Sequence, residues 1–191
     1  MSRSPLRVAV VGPEATGKTT LARALADRLG APLLEDPRPA LLERSGCHTL
    51  FEAARYRPIW RELLERQIER ETAFEAGVID TGVIDCWALW QRWGWCGAPP
   101  AASERLYQGV VAAARRYSHA VVMPPRQVAE FRGHRFLDAD HAAQSARLVD
   151  AFLAEAALPA ATPRLEPGDA AAYLAAASAA LRRQRRSDSL S

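Results

Sequence analysis

Leu6-Arg7-Val8-Ala9-Val10-Val11-Gly12-Pro13-Glu14-Ala15-Thr16-Gly17-Lys18-Thr19-Thr20-Leu21 decides the fold. Leu6 to Val11 is a short, β-branched apolar run, and beyond it Leu21, Leu25 and Leu29 recur at helical spacing until Gly30. The stretch therefore reads as strand, glycine-rich loop, helix. The loop itself, Gly12 to Thr19, matches G-x-x-x-x-G-K-[ST]. Its glycines let the backbone curl so that successive N–H groups face an anion, to which the helix N-terminus adds partial positive charge. Chance would produce this match about three times in ten thousand chains of the same composition, before a flanking strand and helix are required.

Each loop position has a chemical reason. Gly12, Pro13, Glu14, Ala15, Thr16 and Gly17 form the phosphate cradle, Lys18 can reach the β- and γ-phosphates, and Thr20 can contact a phosphate further in. The Thr19 hydroxyl suits Mg²⁺, so ATP and Mg²⁺ are the expected cofactors. Lys18 is the chain's single lysine beside 24 arginines, and the arginines as a group read as compositional background. A net charge of +3 is too small to indicate nucleic acid.

Working outward, Pro32 to Glu35 is a second short apolar run. A long amphipathic stretch from about Leu50 to Ala76 predicts a helix stopped by Gly77. Val78-Ile79-Asp80 is a third strand, Asp85 to Trp95 a Trp-rich helix, Ala102 to Tyr117 another helix and His119 to Met123 a fourth strand. Residues 124 to 139 read as a loop, Ala142 to Ala156 as a helix, Thr162 to Leu165 as a weak fifth strand and Asp169 to Arg183 as a closing helix. Strands alternating with helices define an α/β fold of the P-loop NTPase type, with a mostly parallel five-stranded sheet flanked by helices and a lid loop. Ligands of such sheets gather at the carboxyl ends of the strands.

The length of 191 residues fits one domain over 1–184, with 185–191 as a disordered tail. No window approaches the ~18 apolar residues of a membrane span, and Met-Ser-Arg-Ser-Pro begins no signal peptide, so the expected location is cytoplasmic. Cys47, Cys86 and Cys96 have neither zinc nor CxxC spacing and read as reduced thiols.

The end of the third strand narrows the class. Asp80 is followed by Thr81 and Gly82, without the adjacent glutamate that polarises water in motor-type ATPases, and the only lysine is already used, which excludes Asn-Lys-x-Asp of GTPases. A kinase acting on a bound hydroxyl fits better. It needs carboxylates at the sheet edge, supplied by Glu35, Asp36 and Asp80, each of which could instead be a cap or surface acid. It also needs cations over the transferring phosphoryl group, for which Arg126, Arg132 and Arg135 in the lid are candidates, Arg135 foremost.

Gly12 to Ala22, followed by Glu35-x-x-Arg38, Gln67, Asp80-Thr81, Trp90 and Gly133-x-Arg135, resembles the NadR-type kinases, the nicotinamide riboside kinase domain of bacterial NAD regulators. The likeness spans roughly residues 6 to 180, strongly only at the phosphate loop. Two positions depart from it: Gly82 stands where the family has a second acid (Asp-Thr-Asp), and Arg132 where it has Asp before the lid glycine.

The resemblance implies a stand-alone ATP-dependent kinase for the 5′-hydroxyl of a riboside, nicotinamide riboside first. Other nucleosides, nucleotides, a nucleic-acid 5′ end and a non-kinase ATPase switch stay open. Expected roles are metal binding at Thr19 and Asp80, proton acceptance at Glu35 or Asp36, acceptor contacts from Glu35, Arg38, Asp80 and Trp90, and phosphate contacts from Lys18, Arg132 and Arg135. Trp87, Trp90, Trp93 and Trp95 read first as packing, with one or two able to stack on an acceptor ring. The partners are ATP and a small acceptor; no membrane is implied, and homo-oligomerisation is left open.

Overall fold

The computed structural model describes residues 5–47, 52–53, 58–94, 98–125, 139–156, 171–172, 174–175 and 177–179. β1 (Arg7–Val11) is buried throughout, which is why its apolar letters run on instead of alternating. Its two faces nevertheless separate by the strand period of two. Val8 and Val10 pack with Leu21, Ala22 and Leu25 of α1 (Lys18–Leu29). Ala9 and Val11 face a larger cluster on the opposite side of the sheet.

The chain continues through β2 (Leu33–Leu34), α2 (Arg38–Arg44), α3 (Pro58–Ala73), β3 (Gly77–Asp80) and α4 (Val83–Leu89), which runs into a π-helical turn at Trp90–Gly94. α5 (Pro100–Ala114), β4 (His119–Val122) and α6 (Ala139–Glu155) follow. The strands are ordered β2-β3-β1-β4, and every pairing is parallel. The larger cluster joins α3 (Ile59, Trp60, Leu63, Leu64), α4, α5 (Val110, Ala114) and α6 (Val149, Phe152) to one face of the sheet. Val10 lies opposite Asp80 on one side and Val121 on the other. The carboxyl ends of β1, β3 and β4 are thus level, and Asp80 stands beside the start of the phosphate loop.

Two expectations change. Four strands, rather than five, form the sheet among the described residues, because Thr162–Leu165 lies outside them. The long helix ends at Ala73, and Gly77 opens β3 instead of stopping the helix. The reason is crowding: Gly77 has φ 137°, donates its N–H to the Leu6 carbonyl at 2.8 Å, and leaves no room for a Cβ beside the Pro32 carbonyl and the Phe74 ring. The expected closing helix is seen at 171–172, 174–175 and 177–179, and Ala177 packs with the α1 cluster. Among the described residues no helix is long and apolar enough to cross a membrane.

Gly77→Ala should therefore cost about 3 kcal/mol or more, combining an unfavourable φ with a backbone clash, as read by denaturant midpoint at unchanged m-value.

Candidate active site

The loop between β1 and α1 takes the shape its glycines allow. Gly12 and Gly17 have φ of 137° and 92°, and Ala15 sits at 54°. A Cβ at Gly12 would lie 2.6 Å from the Met123 carbonyl oxygen, so the start of the loop must be glycine for steric as well as conformational reasons. The Thr16 hydroxyl donates to the Pro13 carbonyl at 2.9 Å and pins the curl. No side chain caps the N-terminus of α1, and its first turn carries no acid. Its first amides are therefore not satisfied by a side-chain cap, as an anion cradle requires.

Lys18 is buried. Its ammonium donates to the Gly12 and Pro13 carbonyls at 2.6 and 2.7 Å and lies 3.8 Å from the carboxylate of Asp85 on α4. Asp85 Oδ1 also accepts the Gly12 N–H at 2.8 Å, so one carboxylate holds both the first residue of the loop and its lysine. Burial pushes Asp85 up to about 6, against the pull of Lys18 and the Gly12 amide.

Arg38 is the second buried cation. It donates to Glu14 at 3.0 Å, to Asp36 through Nε and Nη2, and to the Thr81 hydroxyl at 3.1 Å. One guanidinium thereby ties the phosphate loop to the ends of β2 and β3, with most of its donors engaged. Burial alone would raise Asp36, but Arg38 outweighs it and holds the carboxyl below the ordinary range. Glu14 behaves likewise: burial opposes ionisation, and His141, Lys18 and Arg38 together bring it well below normal. His141 Nε2 lies 3.0 Å from Glu14, and its ring stacks on Trp93 with centroids 5.1 Å apart.

Thr81 has φ 62°, an outlier for a β-branched residue that costs about 1–3 kcal/mol. Several bonds enforce it. Its N–H donates to Val10, its carbonyl accepts from Gln67, and its hydroxyl lies between Arg38 and the carboxyls of Asp80 and Asp36. Behind it, Glu71 accepts from Tyr117 at 2.6 Å, Gln67 at 2.8 Å and the Val83 N–H at 2.7 Å. Burial pushes Glu71 up to about 7 in spite of these donors.

The sequence-selected residues divide. Gly12 to Lys18, Asp36, Arg38, Asp80 and Thr81 come together at the sheet edge; Thr19 is half-buried and Thr20 exposed at the start of α1. Glu35 points outward, its side chain 69% exposed and 3.6 Å from Arg23. Trp90 is in the core, packed under Gly94. Arg126, Arg132, Gly133, Arg135, Trp95 and the segment 164–168 lie outside the described residues. Among the described residues no group of three His, Cys, Asp or Glu could hold a metal alone.

Asp85, Glu71, Tyr117 and His141 were not selected as site residues. Signals existed for two. Asp85 is the lone charge in the apolar run Val83 to Trp90, and Glu71 follows Trp60, Leu63, Leu64 and Gln67 on the buried face of α3.

A family model described as an AAA domain matches residues 7–164, and the chain belongs to that family. A search of curated proteins returns no match. Among solved structures, NadR protein in complex with NAD and AMP-PNP is 20% identical with a TM-score of 0.66, covering 94% of this chain and 49% of that one. NadR in complex with NR gives 20% identity and 0.61, covering 86% and 44%. Deoxyadenosine kinase from M. mycoides, with dCMP and dCDP bound, gives 10% identity and 0.70, covering 93% and 99%. The chain spans less than half the length of the NadR chains it matches. At these identities the likeness establishes the fold, a parallel sheet flanked by helices shared with P-loop kinases.

Glu71 makes the protein's stability pH-dependent with a definite sign. Its folded value lies above its unfolded one, so its contribution is complete below about pH 4.5 and is lost as pH rises through about 7. Asp85 acts in the same direction between about 3.8 and 6. The unfolding free energy should fall between pH 5 and 8, and Glu71→Gln should remove roughly 3 kcal/mol or less of that fall. Urea denaturation at each pH checks this, and an unchanged slope in the variant would count against it.

Proposed function

We propose that the chain is an ATP- and Mg²⁺-dependent kinase that phosphorylates the 5′-hydroxyl of a small riboside, nicotinamide riboside first, within one domain over residues 1–184 in the cytoplasm. The observation that carries this is the placement of Asp36. It is held ionised by Arg38 at the end of β2, and Arg38 in turn holds Glu14 of the phosphate loop. A carboxylate thus stands at the same edge of the sheet as the triphosphate cradle, where an acceptor hydroxyl must lie.

In the proposed reaction the acceptor oxygen bonds to the γ-phosphorus as the bond from that phosphorus to the bridging oxygen of ADP breaks, and the hydroxyl proton passes to Asp36. A carboxylate held below its ordinary range can still accept that proton, because the proton leaves late in a loose transition state. The loop amides and Lys18 orient the triphosphate, and Thr19 and Asp80 would hold Mg²⁺, which when bound neutralises charge on the β- and γ-oxygens. Arg132 and Arg135 are assigned to the same oxygens from the lid. Glu35, turned toward Arg23, is the weaker candidate for the proton.

The missing glutamate after Asp80 supports transfer to an acceptor over dedicated hydrolysis. The NadR neighbour bound to NR supports nicotinamide riboside as the first acceptor, and the deoxyadenosine kinase neighbour supports nucleosides as the next.

ADP release measured with ATP, Mg²⁺ and a panel of ribosides, nucleosides and nucleotides should rise above buffer hydrolysis with one class of acceptor. A flat panel would leave a nucleotide-dependent switch as the better account. With the acceptor found, Asp36→Asn should lower kcat roughly a hundredfold and Glu35→Gln about threefold or less, at little cost in nucleotide affinity. The opposite order assigns the proton to Glu35. Lys18→Ala should abolish tight triphosphate binding.

A further inference from the structure

Asp85 is placed unlike any other carboxylate of the site. It is 3% exposed and rises from the first turn of α4, a helix otherwise buried and apolar. Oδ1 accepts the Gly12 N–H at 2.8 Å and lies 3.8 Å from Lys18 Nζ, whereas Oδ2 is buried with no hydrogen-bond partner. Removing a carboxylate from water without satisfying both oxygens is costly unless the group carries a proton or a cation balances it. Lys18 is that cation. The same lysine is the group a triphosphate would draw toward its β- and γ-oxygens.

We propose that Asp85 is a resident counter-anion for Lys18: it holds the start of the loop and the lysine, competes with the incoming triphosphate for that ammonium, and takes up a proton when the triphosphate wins. This rests on the triphosphate reading of the loop. Electrostatics fixes the direction. A polyanion arriving beside Asp85 disfavours its charged form, and withdrawal of Lys18 removes the charge that stabilised it. Among the described residues, the groups facing Asp85 are Lys18 and Glu14 from the loop and the start of α1, Arg38 from α2, and the buried Tyr117 hydroxyl, with Cys86 its neighbour on α4. Lys18 and Arg38 favour the charged form, Glu14 disfavours it, and burial already raises the group toward neutrality. Proton uptake on binding makes affinity strengthen as pH falls. Asp85 is thus a positioning residue that acts through Lys18.

The test is isothermal titration with Mg·AMP-PNP from pH 5.5 to 7.5, in paired buffers of different ionisation heat, on the full chain and on Asp85→Asn. The variant keeps an oxygen for the Gly12 N–H and loses the charge. The wild type should take up a fraction of a proton and lose roughly tenfold in affinity across that range. Asp85→Asn should bind more tightly at pH 7.5, with much of the uptake and pH dependence gone. Equal proton uptake in the two proteins overturns the proposal and leaves the triphosphate reading intact. Absence of binding in the wild type overturns both. Should the variant fold poorly, the wild-type protein decides alone: zero net uptake once the nucleotide's own ionisation is subtracted is incompatible with the proposed role.

Discussion

The Arg38 guanidinium is the interaction on which the rest of the site depends. Three segments far apart in sequence, the phosphate loop, the end of β2 and the end of β3, meet on one side chain through Glu14, Asp36 and Thr81. Its planar fork of donors can satisfy three partners in different directions, which the point charge of a lysine ammonium could not do with the same fixed geometry. The strain at Thr81 persists for the same reason. A positive φ in a β-branched residue survives only when its surroundings over-determine it, and here Arg38, Gln67 and the Val10 carbonyl hold all three of its polar groups. Loss of Arg38 would leave the buried Asp36 without its cation and Glu14 with only Lys18 and His141, a defect of about 3–5 kcal/mol in comparable buried pairs.

The charge arrangement has a further consequence for phosphate binding. Among the described residues, four carboxyl groups, Glu14, Asp36, Asp80 and Asp85, are shielded from solvent at this edge, against the two cations Lys18 and Arg38. Such a balance gives a polyanion no net attraction, so an anion at the loop would rely on directed groups, the loop amides foremost. It also separates the two buried cations by function. Arg38, engaged on several sides by side-chain partners, is suited to hold the architecture, whereas the bonds seen for Lys18 go to two carbonyls of the loop itself, near one carboxylate.

The sequence was most informative where local chemistry alone sets structure. The loop from Gly12 to Thr19 needs specific residue types at specific positions, and β1 and α1 follow from an apolar run and a leucine period, so fold class and the curl of the loop were both readable. What escaped depended on which way a side chain turns. Glu35 and Asp36 are adjacent letters of the same chemistry, yet one faces solvent beside Arg23 and the other is enclosed by Arg38. A two-residue strand carries too little pattern to tell them apart. Trp90 and Trp93 differ in the same way: the first is in the core and the second stacks on His141 of α6, a partner 48 positions away that no local pattern announces.

Gly82 shows how a departure from a family pattern can be structural at its root. Its backbone is ordinary, with φ −78°, so conformation does not require glycine. Space does. A Cβ there would lie 2.5 Å from the Tyr117 hydroxyl and 3.5 Å from Glu71. Tyr117 can move only by giving up its 2.6 Å bond to Glu71, a buried carboxyl whose remaining donors are Gln67 and the first amide of α4. An acid at 82 would therefore do more than add a negative charge beside Asp80. It would displace the phenol, bring a second carboxyl toward Glu71, and disturb the amide that starts the helix carrying Asp85. The turn after Asp80 and Thr81 keeps its shape only because the next position is empty of side chain, and that emptiness is maintained by Tyr117, in the connection from α5 to β4, and by Glu71 of α3.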